Sequence, residues 1–580
     1  MTDPPAGGTP GTISLQWLRH DARKKVIAAL GQRKGKKALV LDARSSALLN
    51  LVAEVALLRE HGVEALHTIG QEQQAAPDLS LVYIIEPLVG HCASIATHIR
   101  AARNLVRPPD GLLASVFFLP RVMPACEQAL EEAGIMGDIS VHDLDVQAVP
   151  LEIDVVSLEL ARGPGAFLCG EDPFAVSAVA RALLALQRTY GSTARALAVG
   201  KRAVAVCEAL GHLWRALPQG EAHAAGAEGF TDVVVIDRAA DLVTPLCTPM
   251  TYEGLMEEVL GLRNGVLELD VDGAGGAGQA GAAGGAGSAA RGGRARLALN
   301  SNDGLFAQLR DLSFVAVGAR LREVAGGLQQ GYRDLAPESR SVSEMRDFVR
   351  RLGTLPDVTR HASISERLAT AVRQQQFREF LRAEQSLLDG PGSDSVPATI
   401  EAMIEAGAPA PTALRLACLM SVAQGGVQRR TLEALFRAAA IWYGHARTAL
   451  ALARLRRAGL LRRHEGGSRR GVYGALKKPL QLLVDKLDER DPKDPAYAYA
   501  GYAPISVRIV QRFIAGTLPM ELLASACGAC VLYKQERDAA DRLQLVPQGE
   551  DGGPETACSL SVMVTGIVGG KRLLEELVGP

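Results

Sequence analysis

Four places in this 580-residue chain carry side chains whose types and spacing could support chemistry. Gly31-Gln-Arg-Lys-Gly35-Lys36 is the first, because glycines ahead of a lysine can cradle phosphate. It has too few residues between its glycines, lacks the Ser or Thr, and precedes an apolar run instead of following one. That run ends at Asp42 and continues into Ala-Arg-Ser-Ser-Ala-Leu, so the glycine-rich dinucleotide turn is missing too. No cofactor is expected. Cys527-Gly-Ala-Cys530 is the second. Zinc needs four ligands, and Cys558 is the only plausible addition, with no histidine at suitable spacing. A redox dithiol favours the opening of a helix after a strand, so small residues in a loop or helix is the better reading and no metal is expected. His361, in His-Ala-Ser-Ile-Ser-Glu366, is the third. Here Ser363 or Ser365 can cap a following helix, and the histidine belongs to that helix start rather than to a base. No GxSxG elbow or HExxH pair occurs, and no histidine–carboxylate–nucleophile set stands out among the eleven histidines. The expectation is a protein that is not an enzyme and has no catalytic residue.

The fourth place is a cationic cluster: Arg454, Arg456, Arg457, Arg462, Arg463, Arg469, Arg470, Lys477 and Lys478, against the single acid Glu465. Helices are expected over 431–444 and 447–458, after which AGLLRRHEGGSRRGVY could form a two-stranded wing. Winged-helix elements often bind DNA phosphates, which makes nucleic-acid binding the alternative to be weighed. Against it, 63 basic and 64 acidic side chains leave a formal net charge of −1, so no global field recruits nucleic acid or an anionic membrane. A structural winged helix with a solvated basic face, or protein docking through Arg456, Arg457, Arg462, Arg463, Arg469 and Arg470, is favoured over nucleic acid.

The elements around these places set the architecture. A chain of this length holds about three or four folding units. Nine irregularly spaced cysteines do not read as a disulfide framework. The opening MTDPPAGGTPGT carries no basic region followed by an apolar run, and no stretch of about 18 apolar residues occurs, so a cytosolic address is expected. Lys37–Asp42, Leu79–Ile85 and Ser115–Leu119 are short apolar runs separated by helical spacing, as over 47–60. Such runs suit buried parallel strands covered on both faces. Val155–Leu160 and Val233–Asp237 read as strands flanking a helix at 172–189. From 251 to about 490 strand signals nearly vanish and amphipathic helices dominate, one of them over 364–388. The glycine-alanine tract 272–293 reads as a disordered loop. A helix is expected to begin near Pro504, and a late strand over Ser559–Val564 makes the second α/β domain discontinuous. The expected domains are 1–150 (α/β), 151–245 with 490–580 (α/β), and 246–489 (helical).

The most informative stretch is Val233 to Leu262, VVVIDRAADLVTPLCTPMTYEGLMEEVLGL. An apolar strand runs into Asp237-Arg238, then Asp241, Leu242, Thr244, Pro245 and Leu246, then Thr251-Tyr252-Glu253-Gly254-Leu255. Read from the residues alone it is a domain junction, with Pro245 enforcing a bend and Thr251 capping a helix whose first turns carry Glu253 and Glu257. It resembles the signature of the SM (Sec/Munc) family. LNSNDGLFAQLRDLSFVAVGARL (298–321), HASISE (361–366), LRLACLMSV (414–422), Ala458–Leu461 and GYAPISVR (501–508) resemble other family motifs in the same order. Together they are similar to the branch that serves as the SM subunit of the HOPS and CORVET tethering complexes. The resemblance runs from about 14 to 515; residues 516–557 match poorly, and Ser561 to Pro580 lacks the family's threonine–glutamate helix after Gly569-Gly570.

That resemblance implies a three-domain arch: a Rossmann-like α/β domain one, a discontinuous α/β domain two, and a largely helical domain three with a helical hairpin within 303–406. It implies templating of SNARE assembly for vesicle docking and fusion, with syntaxin-type and R-SNARE helices as partners. The exposed residues Arg373, Gln376, Arg378, Glu379 and Arg382 are the candidate SNARE contacts. It also implies docking to an α-solenoid subunit similar to vacuolar protein sorting-associated protein 16, through domain two and the wing-like region. The expected place is the cytoplasmic face of late endosome, vacuole or lysosome membranes, reached only through partners.

Overall fold

The computed structural model of the chain describes residues 15–70, 79–103, 112–160, 164–170, 174–191, 193–217, 232–262, 265–270, 294–299, 303–333, 355–390, 393–464, 471–490, 492–537, 543–547, 561–564 and 570–578. These fall into two compact units, one ending at Ala161 and the other taking up the described residues beyond it.

In the first unit, β1 (Lys37–Leu41), β2 (Val63–Thr68), β3 (Ser80–Ile85), β4 (Ala114–Phe118) and β5 (Ile139–Asp143) form one parallel sheet ordered β2-β1-β3-β4-β5. Every position of β1 and β4 is buried, which is why they read as continuous apolar runs. The edge strands β2 and β5 alternate with exposed or half-buried residues and gave no such signal. Helices α1 (Leu15–Gly31), α2 (Ala43–Val52), α3 (Val55–Glu60), α4 (Val89–Ala102) and α5 (Pro124–Glu132) complete the unit. The helix expected over 47–60 is two helices, because Ala53 and Glu54 are extended. The strand expected over Val155–Leu160 shrinks to β7 (Val156–Ser157), paired with β6 (Val149–Pro150); Glu159 turns to a φ of 41° and ends the extension.

Strand order reverses between β1 and β3, and doubly wound sheets take their ligands at such a point. Here the chain binds its own polar groups there. Asp42 accepts the Ser45 amide at 2.7 Å and the Glu86 amide at 2.6 Å. Arg44 pairs with Glu86 at 2.8 Å and donates to the carbonyls of Leu158 and Glu159.

The second unit opens with α6 (Pro164–Leu168), α7 (Ala175–Tyr190), β8 (Arg195–Val199), α8 (Lys201–Arg215) and β9 (Asp232–Ile236). A short α9 (Tyr252–Leu255) follows, widening into a π turn over Met256–Leu260, and then a hairpin of β10 (Val266–Asp270) and β11 (Arg294–Ala298). That hairpin corrects the expectation of a strand-free helical stretch. The tract 272–293 lies outside the described residues. Helices follow: α10 (Gly304–Leu309), α11 (Phe314–Arg333), α12 (Leu355–Arg373), α13 (Gln375–Asp389), α14 (Val396–Glu405), α15 (Ala410–Gln424), α16 (Arg429–Tyr443), α17 (His445–Arg457), α18 (Val472–Leu476), α19 (Ile505–Ile514) and α20 (Met520–Cys527). Strands β12 (Cys530–Arg537), β13 (Leu543–Pro547) and β14 (Ser561–Val564), and helix α21 (Gly570–Val578), end the described chain. The second sheet runs β13-β12-β8-β9-β14, with β14 parallel to β9 and β12 antiparallel to β8. The discontinuous sheet expected from the late strand is present.

Four further expectations need correction. The single helix over 364–388 is α12 and α13, broken at Gln374, whose ψ of 139° is extended. Ile364 and Leu368 before the break face one core, and Phe380, Ala383 and Leu387 after it face another, while Phe377 still packs with the first. Because α12 begins at Leu355, Ser363 and Ser365 lie in its interior and cap nothing. Val472–Leu476 is helical, so the second strand of the expected wing is absent among the described residues. The final helix does form, since Leu573, Leu574, Leu577 and Val578 give α21 one apolar face buried in the main core. No helix among the described residues is long and apolar enough to cross a membrane.

Candidate functional site

The signature segment after β9 is a set of buried polar caps. Asp237 accepts the Ala239 amide at 3.0 Å and the Arg202 amide, at the start of α8, at 3.1 Å. Gly200, at a φ of 96°, comes so close that a Cβ there would lie 2.4 Å from Asp237 Cβ. Asp241 is fully buried; it accepts the Thr244 amide at 3.1 Å, the Thr244 hydroxyl at 2.7 Å and the Ser506 amide at 3.1 Å. Arg238, itself buried, lies 3.6 Å from that carboxylate. With Thr244 Oγ1 donating to Asp241, the Tyr502 hydroxyl donates to Thr244 at 3.1 Å. Pro245 and Leu246 are buried beside it. A carboxylate so enclosed joins β9, the following loop and α19, residues 265 apart in sequence.

Residues 248–258 then act as a hub. The Thr251 hydroxyl accepts the Gly254 amide at 3.2 Å, the cap expected from sequence. Gly254 is required because a Cβ would meet Pro249 Cβ at 2.6 Å. Tyr252 and Glu253 amides donate to Leu312 and Arg310 carbonyls at 3.0 and 3.1 Å, and the Phe314 amide returns a bond to Met250 at 2.9 Å. The Arg310 guanidinium lies 3.2 Å from Glu253. These bonds fix the start of α11.

Two buried clusters extend from the same segment. In the first, the Tyr252 hydroxyl lies 3.0 Å from His361 Nδ1, and His361 Nε2 lies 3.1 Å from Asp303 Oδ2. Both bonds are met by one arrangement: the hydroxyl donates to Nδ1, and Nε2–H donates to the carboxylate. Burial lowers the His361 pKa, against the opposing pull of Asp303, and favours that neutral ring. Burial alone would raise the Asp303 carboxyl, but the Phe306 amide and the His361 ring outweigh it and hold it low. In the second cluster, Thr248 donates its amide to Glu384 Oε2 at 3.1 Å and its hydroxyl to Glu384 Oε1 at 2.9 Å. Arg415 Nη1 grips both Glu258 oxygens at 2.8 and 2.9 Å. Its Nη2 donates to Thr248 Oγ1 at 3.0 Å and lies 3.4 Å from Glu384, and its plane covers Phe380 at 4.5 Å. Burial pushes the Glu384 carboxyl up to about 7, despite Arg415 and Thr248.

Sequence reasoning missed Thr248, Asp303, Glu384 and Arg415. A signal existed for two: Glu384 lies on the apolar face of α13 among Phe380, Ala383, Leu387 and Leu388, and Arg415 interrupts the apolar run of α15. A charge there is almost always paired. The partner of each is more than 30 residues away and left no mark.

The expected contact residues are placed as hoped in one respect. Arg373, at the end of α12, and Gln376, Arg378, Glu379 and Arg382, on α13, are all exposed. Arg454, Arg456 and Arg457 on α17, with Arg462 and Arg463 after it, are exposed too. Arg469 and Arg470 lie outside the described residues. Lys477 leaves the patch: it donates to the Leu388 and Asp389 carbonyls at 2.6 and 2.9 Å and, with Tyr473, caps the end of α13. At the other end of the α16–α17 pair, near the turn between the two helices, Ile441 is 80% exposed and Trp442 53%, and Leu450 on α17 is 56% exposed. Cys527 ends α20 and Cys530 begins β12; burial pushes both thiols up to about 12, so neither is a ready thiolate.

A profile of the Sec1 family matches residues 37–530. The vacuolar protein-sorting-associated protein 33 homolog of Arabidopsis thaliana is 30% identical over 512 residues, 88% of this chain and 82% of that protein. Vacuolar protein sorting-associated protein 33A of Rattus norvegicus is 29% identical, over 86% of this chain and 83% of the rat protein. Among solved structures, the Unc18–syntaxin 1 complex from Monosiga brevicollis aligns with a TM-score of 0.61 at 15% identity, covering 98% of this chain and 100% of the other. The SM protein Vps45 in complex with the Qa SNARE Tlg2 aligns at 0.55 and 16% identity, covering 87% of each. The fold is that of the SM proteins, and with a profile match across most of its length and these relatives, the chain belongs to the Sec1 family.

Proposed function

We propose that this chain binds SNARE helices and templates their assembly during vesicle docking and fusion, as the SM subunit of a HOPS- or CORVET-type tethering complex at late endosome, vacuole or lysosome. The observation that carries the reading is the Sec1 family match over residues 37–530, joined to similarity with proteins named for vacuolar sorting. We read the second unit as two domains, the discontinuous α/β domain two and the helical domain three. SNARE contact falls to Arg373, Gln376, Arg378, Glu379 and Arg382, an exposed polar face on helices whose opposite face is anchored in the core. Pre-aligning two helices on such a face removes part of the entropy of bringing them together.

Docking of an α-solenoid subunit falls to Arg456, Arg457, Arg462 and Arg463, at the end of the α16–α17 pair where Arg463 meets Val427. Arginine is enriched in protein interfaces, and a formal net charge of −1 gives the chain no global field to recruit nucleic acid, which favours protein docking. We read the protein as non-enzymatic and peripheral, reaching membranes through its partners. The test is affinity purification of the tagged chain from its own cells at near-physiological salt. Tethering subunits and endosomal SNAREs are expected; the double variant Arg378→Glu/Arg382→Glu should lose the SNAREs and keep the tether, and Arg462→Glu/Arg463→Glu the reverse. Recovery of neither class by folded wild-type protein would overturn the reading.

A further inference from the structure

The break at Gln374 separates two helices that are anchored to different residues of the signature segment. α12 is attached through His361 to the Tyr252 hydroxyl, and α13 through Glu384 to Thr248, four residues earlier. Nothing in either cluster is shared: the His361 ring sits with Asp303 and Phe306, while Glu384 sits with Arg415 and Phe380. The first turn of α13 stays with the core of α12 through Phe377, and its end is held by Tyr473 and Lys477, which leaves Thr248 to hold the middle of the helix at Glu384. We infer that Thr248 and Tyr252 are positioning residues, each holding one of the two helices that flank Gln374, so that the segment Phe380–Glu384 is set separately from α12.

The charges show how the α13 hold responds to its surroundings. One guanidinium faces two carboxylates, and Glu258 already takes the bidentate grip. Burial therefore costs the Glu384 carboxylate more than Arg415 and Thr248 return, and a proton on it removes that cost. The groups that face it are Arg415 of α15, Glu258 of the π turn, and the Cys247 thiol and Thr248 of the signature loop, the thiol kept neutral by burial. α14 brings apolar Val396, Ile400 and Ile404 to this core, and α12 turns Ile364 and Leu368 to the neighbouring one. With its carboxyl raised to about 7 when held, against 4.5 when released, Glu384 is held more tightly as pH falls. His361 works the other way, since burial lowers its pKa and a proton opposes its hold.

The inference deepens the SNARE reading, because Arg378, Glu379 and Arg382 lie on or beside the segment that Thr248 sets. Its test does not depend on that reading. Hydrogen exchange of the full chain, corrected for the intrinsic pH dependence of amide exchange, is followed at pH 8 and pH 6. Residues 380–384 should be about tenfold better protected at pH 6, while 355–373 should become less protected. Thr248→Val should loosen 380–384 alone, Tyr252→Phe should loosen 355–373 alone, and Thr248→Ser, which keeps the hydroxyl, should match wild type. Equal loosening of both helices by either variant, or protection of both moving together with pH, would sink the inference. Should Thr248→Val fail to fold, the wild-type pH comparison decides alone. Binding of a syntaxin-type helix, measured separately, fails without touching this result if only the SNARE reading is wrong.

Discussion

Asp241 shows how the family's signature works at the scale of one residue. Its carboxylate is surrounded by donors from Thr244 and Ser506 and lies near a buried arginine, so its loss leaves two amides and a hydroxyl without their acceptor and removes a charge facing Arg238. Asp241→Ala should cost about 3–5 kcal/mol in chemical denaturation, the range for removing one partner of a buried charge pair. Glu384 makes a second prediction. Its folded pKa of about 7 exceeds its unfolded value, so its contribution is fully present below about pH 4.5 and is lost as pH rises through 7. Between pH 6 and pH 8 that is about 1.4 kcal/mol, and Glu384→Gln should reduce the stability difference between those pH values by that amount. The Thr251 cap was legible in sequence because its partner is three residues away. The Thr248–Glu384 bond was not, because its ends are 136 residues apart and only the fold brings them together.

At the scale of the element, helix and strand types were readable where both faces or one face are apolar, as in β1, β4, β9 and α19. Edges and breaks were not. β2 has the alternating exposure of an edge strand, and Gln374 carries no Pro or Gly to announce a break; its cause is the need of two helices to face two cores. The turn from β8 into α8 gives the prediction that belongs here. Gly200 adopts a positive φ directly against Asp237, so Gly200→Ala must strain the backbone and push the carboxylate off the Arg202 amide at the start of α8. A loss of about 2–4 kcal/mol is expected, summing backbone strain and a lost charged cap, and a thermal melt checks it.

For the whole molecule, the parallel strands of the first unit and the helical stretch after residue 300 were legible from apolar patterning, while the resemblance ended near 515 and left the final helix in doubt. α21 exists because its four apolar side chains fill the core made by α15 and α17. Deleting residues 565–580 removes Leu573, Leu574, Leu577 and Val578, each worth about 1.5–3 kcal/mol of burial. That sum rivals the stability of a typical domain. Calorimetry should show the second unit's transition collapse while the transition of the first, with its own two apolar cores, stays in place.

The closing of the second sheet also sets a schedule for biosynthesis. β9 leaves the ribosome about 330 residues before β14, the strand that pairs with it. At 5–20 residues per second that is roughly half a minute in which a strand buried at every position of the finished fold has an open edge. The first unit is complete by then and can fold as it emerges. The nascent second unit cannot, and holdase chaperones that cover strand edges should be found on ribosomes translating the stretch between residues 240 and 560.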